Sequence, residues 1–134
     1  MKLYIHTPGK LAVPGVSEAI HEYIRRISDW SLQHARGLPQ QKSEGERWIS
    51  LDPSGTMTTT EGIHRWMNKQ ANRSCSVIRF LIGGKDGLNS HMIDEADWSW
   101  SLGPLVMNQS LAALVVAEQC YRAFALRTGH PYHE

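Results

Sequence analysis

Apolar positions along the chain keep two different spacings, and the switching between them is the first structural signal. Leu3, Tyr4 and Ile5 belong to a short β-rich start over 2–6, which Pro8 and Gly9 break. Ile20, Tyr23, Ile24 and Ile27 recur at helical spacing and predict an amphipathic helix over 16–30, with Arg25 and Arg26 on its polar side. Residues 33–46 are polar, contain Gly37, Pro39 and Gly45, and read mostly as loop. Trp48, Ile49, Ser50 and Leu51 form a strand candidate, and Asp52, Pro53, Ser54 and Gly55 a turn. Thr58 and Glu61 fit a capping box ahead of Ile63, Trp66, Met67 and Ala71, which predicts a second helix. Residues 75–82 are β-rich, and 90–96 suit one or two helical turns. Trp98, Trp100 and Leu102 alternate with Ser99 and Ser101, which is strand spacing. A last helix is predicted over 110–127, closed by Gly129 and Pro131. It is apolar nearly all round, so it belongs in the interior.

Strands alternating with helices predict an α/β fold, a mostly parallel sheet with helices on both faces. Ligands of such sheets sit beyond the carboxyl ends of strands. Gly83 and Gly84 lie at one such end, Asp52 to Gly55 at a second, and Gly103 and Pro104 at a third. Three glycine-bearing loops at three strand ends can make one cleft. Each glycine can equally serve only a turn that needs a positive φ. Neither a G-x-G-x-x-G nor a G-x-x-x-x-G-K-[ST] stretch is present, so a dinucleotide fold or a P-loop is not supported.

Composition narrows the class. A chain of 134 residues that is 41% hydrophobic and 20% charged suits a single globular domain, 1–134. The longest purely apolar run, 111–117, falls far short of the ~20 residues of a membrane span, and the start lacks a secretory apolar region. No membrane partner is expected. Cys75 and Cys120 stand alone, which speaks against a disulfide framework and a zinc site and for a reducing cytoplasm; no metal is expected. The formal net charge of +1 leaves no basic tail or stripe, though a local patch can still meet nucleic acid. Arg25, Arg26, Arg65, Lys69, Arg73 and Lys85 are the candidate phosphate contacts.

Three stretches then carry a resemblance: FLIGGKDGL at 80–88, ADWSWSL at 96–102 and LVVAEQCYRAFALRTGHPYHE at 114–134. In this order and spacing they resemble the SPOUT methyltransferases. Within those they resemble the bacterial large-subunit rRNA methyltransferase H family, which methylates N3 of a pseudouridine. The match is dense over the C-terminal part and looser over the first strand and helix.

The resemblance implies a SPOUT α/β knot, with a trefoil knot in roughly 75–134 that builds an S-adenosylmethionine cleft. Carried over by motif, the cofactor-binding positions are Leu51, Gly83, Gly84, Leu102, Gly103, Pro104, Leu105, Val106, Met107 and Asn108. Gly84 would let the backbone lie against the cofactor where a Cβ would clash. The implied catalytic residues are His133, Tyr132 and Arg122. Of the tail residues, His133 is the better base for the N3 proton, since histidine titrates near neutrality. Arg122 lies four residues beyond Glu118 on the last helix, so the two can pair, either as a structural ion pair or to shape the active site. The implied partners are large-subunit rRNA, inside or outside the assembled ribosome, and a second copy of the chain in a homodimer; DNA is not expected.

The chain also departs from that family. Asn108 and Gln109 stand where members usually carry Pro-His, and Ala113 where they carry arginine. The segment between the first helix and Trp48 is short by about one helix. These changes bear on substrate recognition rather than on the cofactor half. The alternative reading is a catalytically inactive SPOUT-like RNA-binding or ribosome-assembly protein.

Overall fold

The computed structural model describes residues 1–132. Five strands form one sheet: β1 (Lys2–Thr7), β2 (Ser31–Arg36), β3 (Glu46–Met57), β4 (Val77–Ile82) and β5 (Trp98–Ser101), in the spatial order β2-β1-β4-β3-β5. The strands pair in parallel throughout. Four helices join them: α1 (Val16–Arg26), α2 (Thr60–Ala71), α3 (Ser90–Glu95) and α4 (Gln109–Thr128).

Alternation along the strands divides the core in two. Leu3, Ile5, Ile49, Ile78 and Phe80 meet Ile20 of α1, Ile63 and Met67 of α2, and Val116 and Ala117 of α4 in one buried cluster. Burying a side chain such as Phe80 contributes roughly 1.5–3 kcal/mol. On the other face Trp48 and Leu81 meet Met92 of the short α3. Helices therefore cover both faces, as the pattern predicts, but very unequally. α4 is buried along most of its length, as its apolar sequence requires.

Four expectations change in detail. Residues 31–36, partly read as loop, form the edge strand β2. Leu32 is its one fully buried side chain among polar neighbours, so no alternation announces it. α1 stops at Arg26, where Ile27 turns extended while still donating its N–H to the Tyr23 carbonyl. The turn at 52–55 exists, but inside a longer strand. The Asp52 carboxylate accepts from the Ser54 amide and hydroxyl at 2.9 Å each, and β3 rejoins β5 at Thr56 opposite Trp100. Finally, Thr59 rather than Thr58 caps α2, its hydroxyl accepting from the Gly62 amide at 3.0 Å.

Candidate active site

The turn inside β3 and the carboxyl ends of β4 and β5 converge on a cleft of about 230 Å³. Leu51 reaches it from β3, Gly83 and Gly84 follow β4, and Leu102, Gly103, Leu105, Val106 and Met107 follow β5. Eight of the ten residues expected at a cofactor thus line one hollow. Pro104 and Asn108 do not. The Asn108 side chain is spent on capping α4, accepting from the Leu111 amide at 3.0 Å. The cleft also takes Ile82 and Gly87 from the stretch at 80–88, Asp52 and Pro53 from the turn expected beside it, Lys85, read as a phosphate contact, and Ala112, which the sequence reading did not single out. Asp52 and Pro53 were readable as the loop adjoining Leu51, whereas nothing in the sequence marks the Ala112 side of α4.

The two glycines after β4 have different physical reasons. A Cβ on Gly83 would fall 2.5 Å from the Gly87 carbonyl carbon and 2.7 Å from the Leu88 nitrogen, both backbone. The chain doubles back there, with the Gly87 amide donating to the Gly84 carbonyl at 2.9 Å and Gly87 held at a φ of 76°. Gly83 is therefore fixed by its own turn. A Cβ on Gly84 meets only the ring of Pro8, at 3.2 Å, and lines the cleft.

Two polar side chains brace the walls. The buried Ser101 hydroxyl donates to the Pro53 carbonyl at 3.0 Å and accepts from the Gly103 amide at 3.1 Å, tying the β3 loop to the β5 loop. Gln109 accepts from the Gly9 amide at 3.1 Å, so it serves as an acceptor that holds the loop after β1. Ala113 is fully buried, so in this chain that position belongs to the core and not to an RNA-facing surface.

Beside the cleft lies a second cavity of about 370 Å³, between residues 57–60 and Gln119, which shares Leu102 and Gly103 with it. A third hollow of about 190 Å³, lined by Arg122, His130 and Tyr132, shares Thr60 with the second. Arg122 and Tyr132 are thus brought together, but one cavity away from the glycine cleft. Arg122 pairs with Glu118 and lies over the Tyr132 ring at 4.7 Å, and the Tyr132 hydroxyl donates to Glu118 Oε1 at 3.4 Å. Burial, and behind it the neighbouring Tyr23 and Glu118, push the Tyr132 phenol above its ordinary range, which disfavours it as a base near neutrality. His133 lies outside the described residues.

Of the candidate phosphate contacts, Arg25 and Arg26 are both paired with Glu22, at 2.6 and 2.9 Å. Arg65, Lys69 and Arg73 are exposed along α2 and just beyond it, and Lys85 at the cleft, with no ion pair among the described residues.

The family described as "Predicted SPOUT methyltransferase" matches residues 30–133. The "Ribosomal RNA large subunit methyltransferase H" of Thermus thermophilus is 35% identical over 144 aligned positions, covering 99% of this chain and 98% of that one. The protein of the same name from Xylella fastidiosa is 30% identical over 155 positions, covering 99% and 98%. Both alignments are longer than this chain, in keeping with a segment it lacks. In three dimensions the chain is similar to a probable methyltransferase from Bordetella pertussis, with a TM-score of 0.58 at 11% identity, covering 92% of this chain and 95% of that one. A parallel sheet with a glycine-walled cleft at its strand ends is thus a SPOUT methyltransferase fold. The chain belongs to the SPOUT methyltransferases, in the family of the large-subunit ribosomal RNA methyltransferases H.

Proposed function

We propose that this protein uses S-adenosylmethionine to methylate N3 of a pseudouridine in large-subunit ribosomal RNA. The observation that carries the reading is the cleft itself. The turn inside β3 and the loops after β4 and β5 meet in it, lined mostly by apolar side chains and glycine backbone with Asp52 and Lys85 beside them, in a chain that matches the named enzymes over 99% of its length. Leu51, Gly83, Gly84 and the loop from Leu102 to Met107 would hold the cofactor, with main-chain groups available to an adenine ring. Gly84 would let the backbone lie flush against it. When bound, the cofactor supplies an electrophilic methyl group on a cationic sulfur. The chain's part is to hold the target nitrogen in line with that methyl group, and position contributes much of the rate. His133 would take the N3 proton and so free the nitrogen lone pair, with Arg122 and Tyr132 shaping the tail beside it.

Lys85 and the row Arg65, Lys69 and Arg73 would meet RNA phosphates. The whole chain would act as one domain, with roughly 75–134 threaded as a trefoil knot, in the cytoplasm and as a homodimer. Among the described residues no helix is long and apolar enough to cross a membrane.

The test is to methylate purified large ribosomal particles with labelled donor and map the product base. Label on N3 of a pseudouridine is expected, with His133→Ala lowering turnover far more than RNA binding. Label on a ribose, on another ring position or on protein would overturn the reading. Failure of the wild-type protein to bind the donor would instead leave the inactive RNA-binding alternative.

A further inference from the structure

The middle cavity lies between the glycine cleft and the tail, and its polar groups have a fixed direction. The Arg122 guanidinium pairs with the Glu118 carboxylate. Carboxylate oxygens only accept, so Gln119 must turn its amide NH2 toward Glu118, and Nε2 donates to Oε2 at 2.9 Å. That leaves the Gln119 carbonyl oxygen facing Thr60. It too only accepts, so the Thr60 hydroxyl must spend its single proton there, at 2.6 Å. Two groups on the cavity wall are then left over: the second N–H of Gln119, and the lone pairs of Thr60 Oγ1. The site offers a donor beside an acceptor, with Trp100 and Leu102 as apolar walls.

Pseudouridine matches that pair. Its ring joins the sugar through carbon, so N1 keeps a hydrogen, and N1–H lies next to the C2 carbonyl with N3 on the far side. In uridine N1 is consumed by the sugar and that donor is gone. We propose that the cavity between residues 57–60 and Gln119 is the acceptor-base site, and that Thr60 and Gln119 select pseudouridine by accepting from N1–H and donating to O2. N3 would then face the Leu102 and Gly103 wall that the cavity shares with the donor cleft. The bond from Gln119 to O2 also takes up part of the negative charge the ring gains when N3 loses its proton. Glu118 and Arg122 become positioning residues that act through the Gln119 amide. The proposal rests on the reading that the acceptor is a pseudouridine.

The experiment compares initial methylation rates on large ribosomal particles that carry the pseudouridines and on particles rebuilt from transcribed, uridine-only RNA. Donor affinity is measured alongside by calorimetry. Wild type should prefer pseudouridine. Thr60→Val should cut the ratio of the two rates on the order of tenfold, as expected for one neutral hydrogen bond, at unchanged donor affinity, and Thr60→Ser should restore it. Gln119→Leu should also cut the ratio although the Thr60 hydroxyl remains, because that hydroxyl is then free to turn and donate. A merely structural role for Thr60 would not move the ratio in Gln119→Leu. Thr60→Val and Gln119→Leu proteins that keep the wild-type ratio, or a wild type with no preference, would overturn the assignment while the methyltransferase reading stands. A wild type that methylates neither particle would overturn both.

Discussion

Gly83 and Gly84 are neighbours, yet substitutions at them should fail in different ways. At Gly83 an added methyl group has to displace backbone at 2.5 Å, and backbone cannot swing aside as a flexible side chain can. Gly83→Ala should lower stability by roughly 1–3 kcal/mol, the usual range for overpacking, as read by thermal unfolding. At Gly84 only the Pro8 ring must yield slightly. Gly84→Val should fold and lose S-adenosylmethionine, and near wild-type affinity by calorimetry would remove Gly84 from the cofactor site. His6 gives a second prediction at this scale. Arg79 can only donate, and its Nη1 lies 3.1 Å from His6 Nε2, so Nδ1 carries the proton and donates to the Gly37 carbonyl at 2.9 Å. The ring is neutral. Burial, then Arg79 and His34, hold its pKa below 6.5, against the opposing pull of the Gly37 carbonyl and Glu46. A depressed histidine pKa means the unfolded chain binds more protons just below 6.5. Stability should therefore be complete above that pH and fall as pH drops through the window beneath it. His34 and His64 shift in the same direction. The melting temperature should be lower at roughly pH 5.5 than at roughly pH 7.5, and His6→Gln should shrink the difference. A flat profile would contradict the assignment.

At the scale of elements, the start of α2 separates what the sequence shows from what it hides. A Thr-Thr-Thr run precedes the helix, and spacing alone favours Thr58 with Glu61, but the hydroxyl that meets an orphan amide belongs to Thr59. Thr59→Ala should cost about 1 kcal/mol in thermal or denaturant unfolding, while Thr58→Ala, at an exposed position, should cost little. Helices α1, α2 and α4 and strands β3, β4 and β5 were legible because periodic apolar residues face one packed core. β2 was not, because an edge strand with one buried leucine carries no period. The glycine-walled cleft was legible as a hollow from glycine motifs beyond strand ends. The middle cavity was not, because it joins residues 57–60 to Gln119 across the fold, and no local pattern in either segment records the meeting. Arg122 was singled out for its pairing with Glu118, but its reach to the Gln119 amide through that carboxylate is visible only in three dimensions.

Across the whole molecule, the unequal covering of the sheet and the exposed apolar surface point to different consequences. A parallel sheet is normally covered on both faces, and among the described residues no helix stands between Arg36 and Glu46. Polar groups occupy that side instead: Arg79 pairs with Glu46 at 3.2 Å and lies over the Tyr4 ring at 4.7 Å, with His6 beside it. Exposed apolar side chains lie at Met57 at the end of β3, at Ile93 on α3, and above all at the loop before α4 and on α4 itself. Val106 is 92% exposed, Leu105 73%, Leu126 47% and Leu111 43%. Leu105, Val106 and Leu111 fall within seven residues of one another along the chain; exposed apolar side chains so concentrated suit an interface, and a two-fold axis would cover them with their own copy. It would also put two sets of α2 cations on one assembly, which a chain of net charge +1 needs for an RNA footprint. A symmetric homodimer at micromolar concentration is the expected result of sedimentation equilibrium. Leu111→Glu is the discriminating variant. The position lies in the first turn of α4, where an acidic side chain suits the helix dipole. The fold should therefore survive while a charge is placed in the interface. Expected are an unchanged circular dichroism spectrum, a monomer in the centrifuge and weakened binding to ribosomal particles. An active wild-type monomer, or a Leu111→Glu protein that still sediments as a dimer, would place the interface elsewhere or remove it.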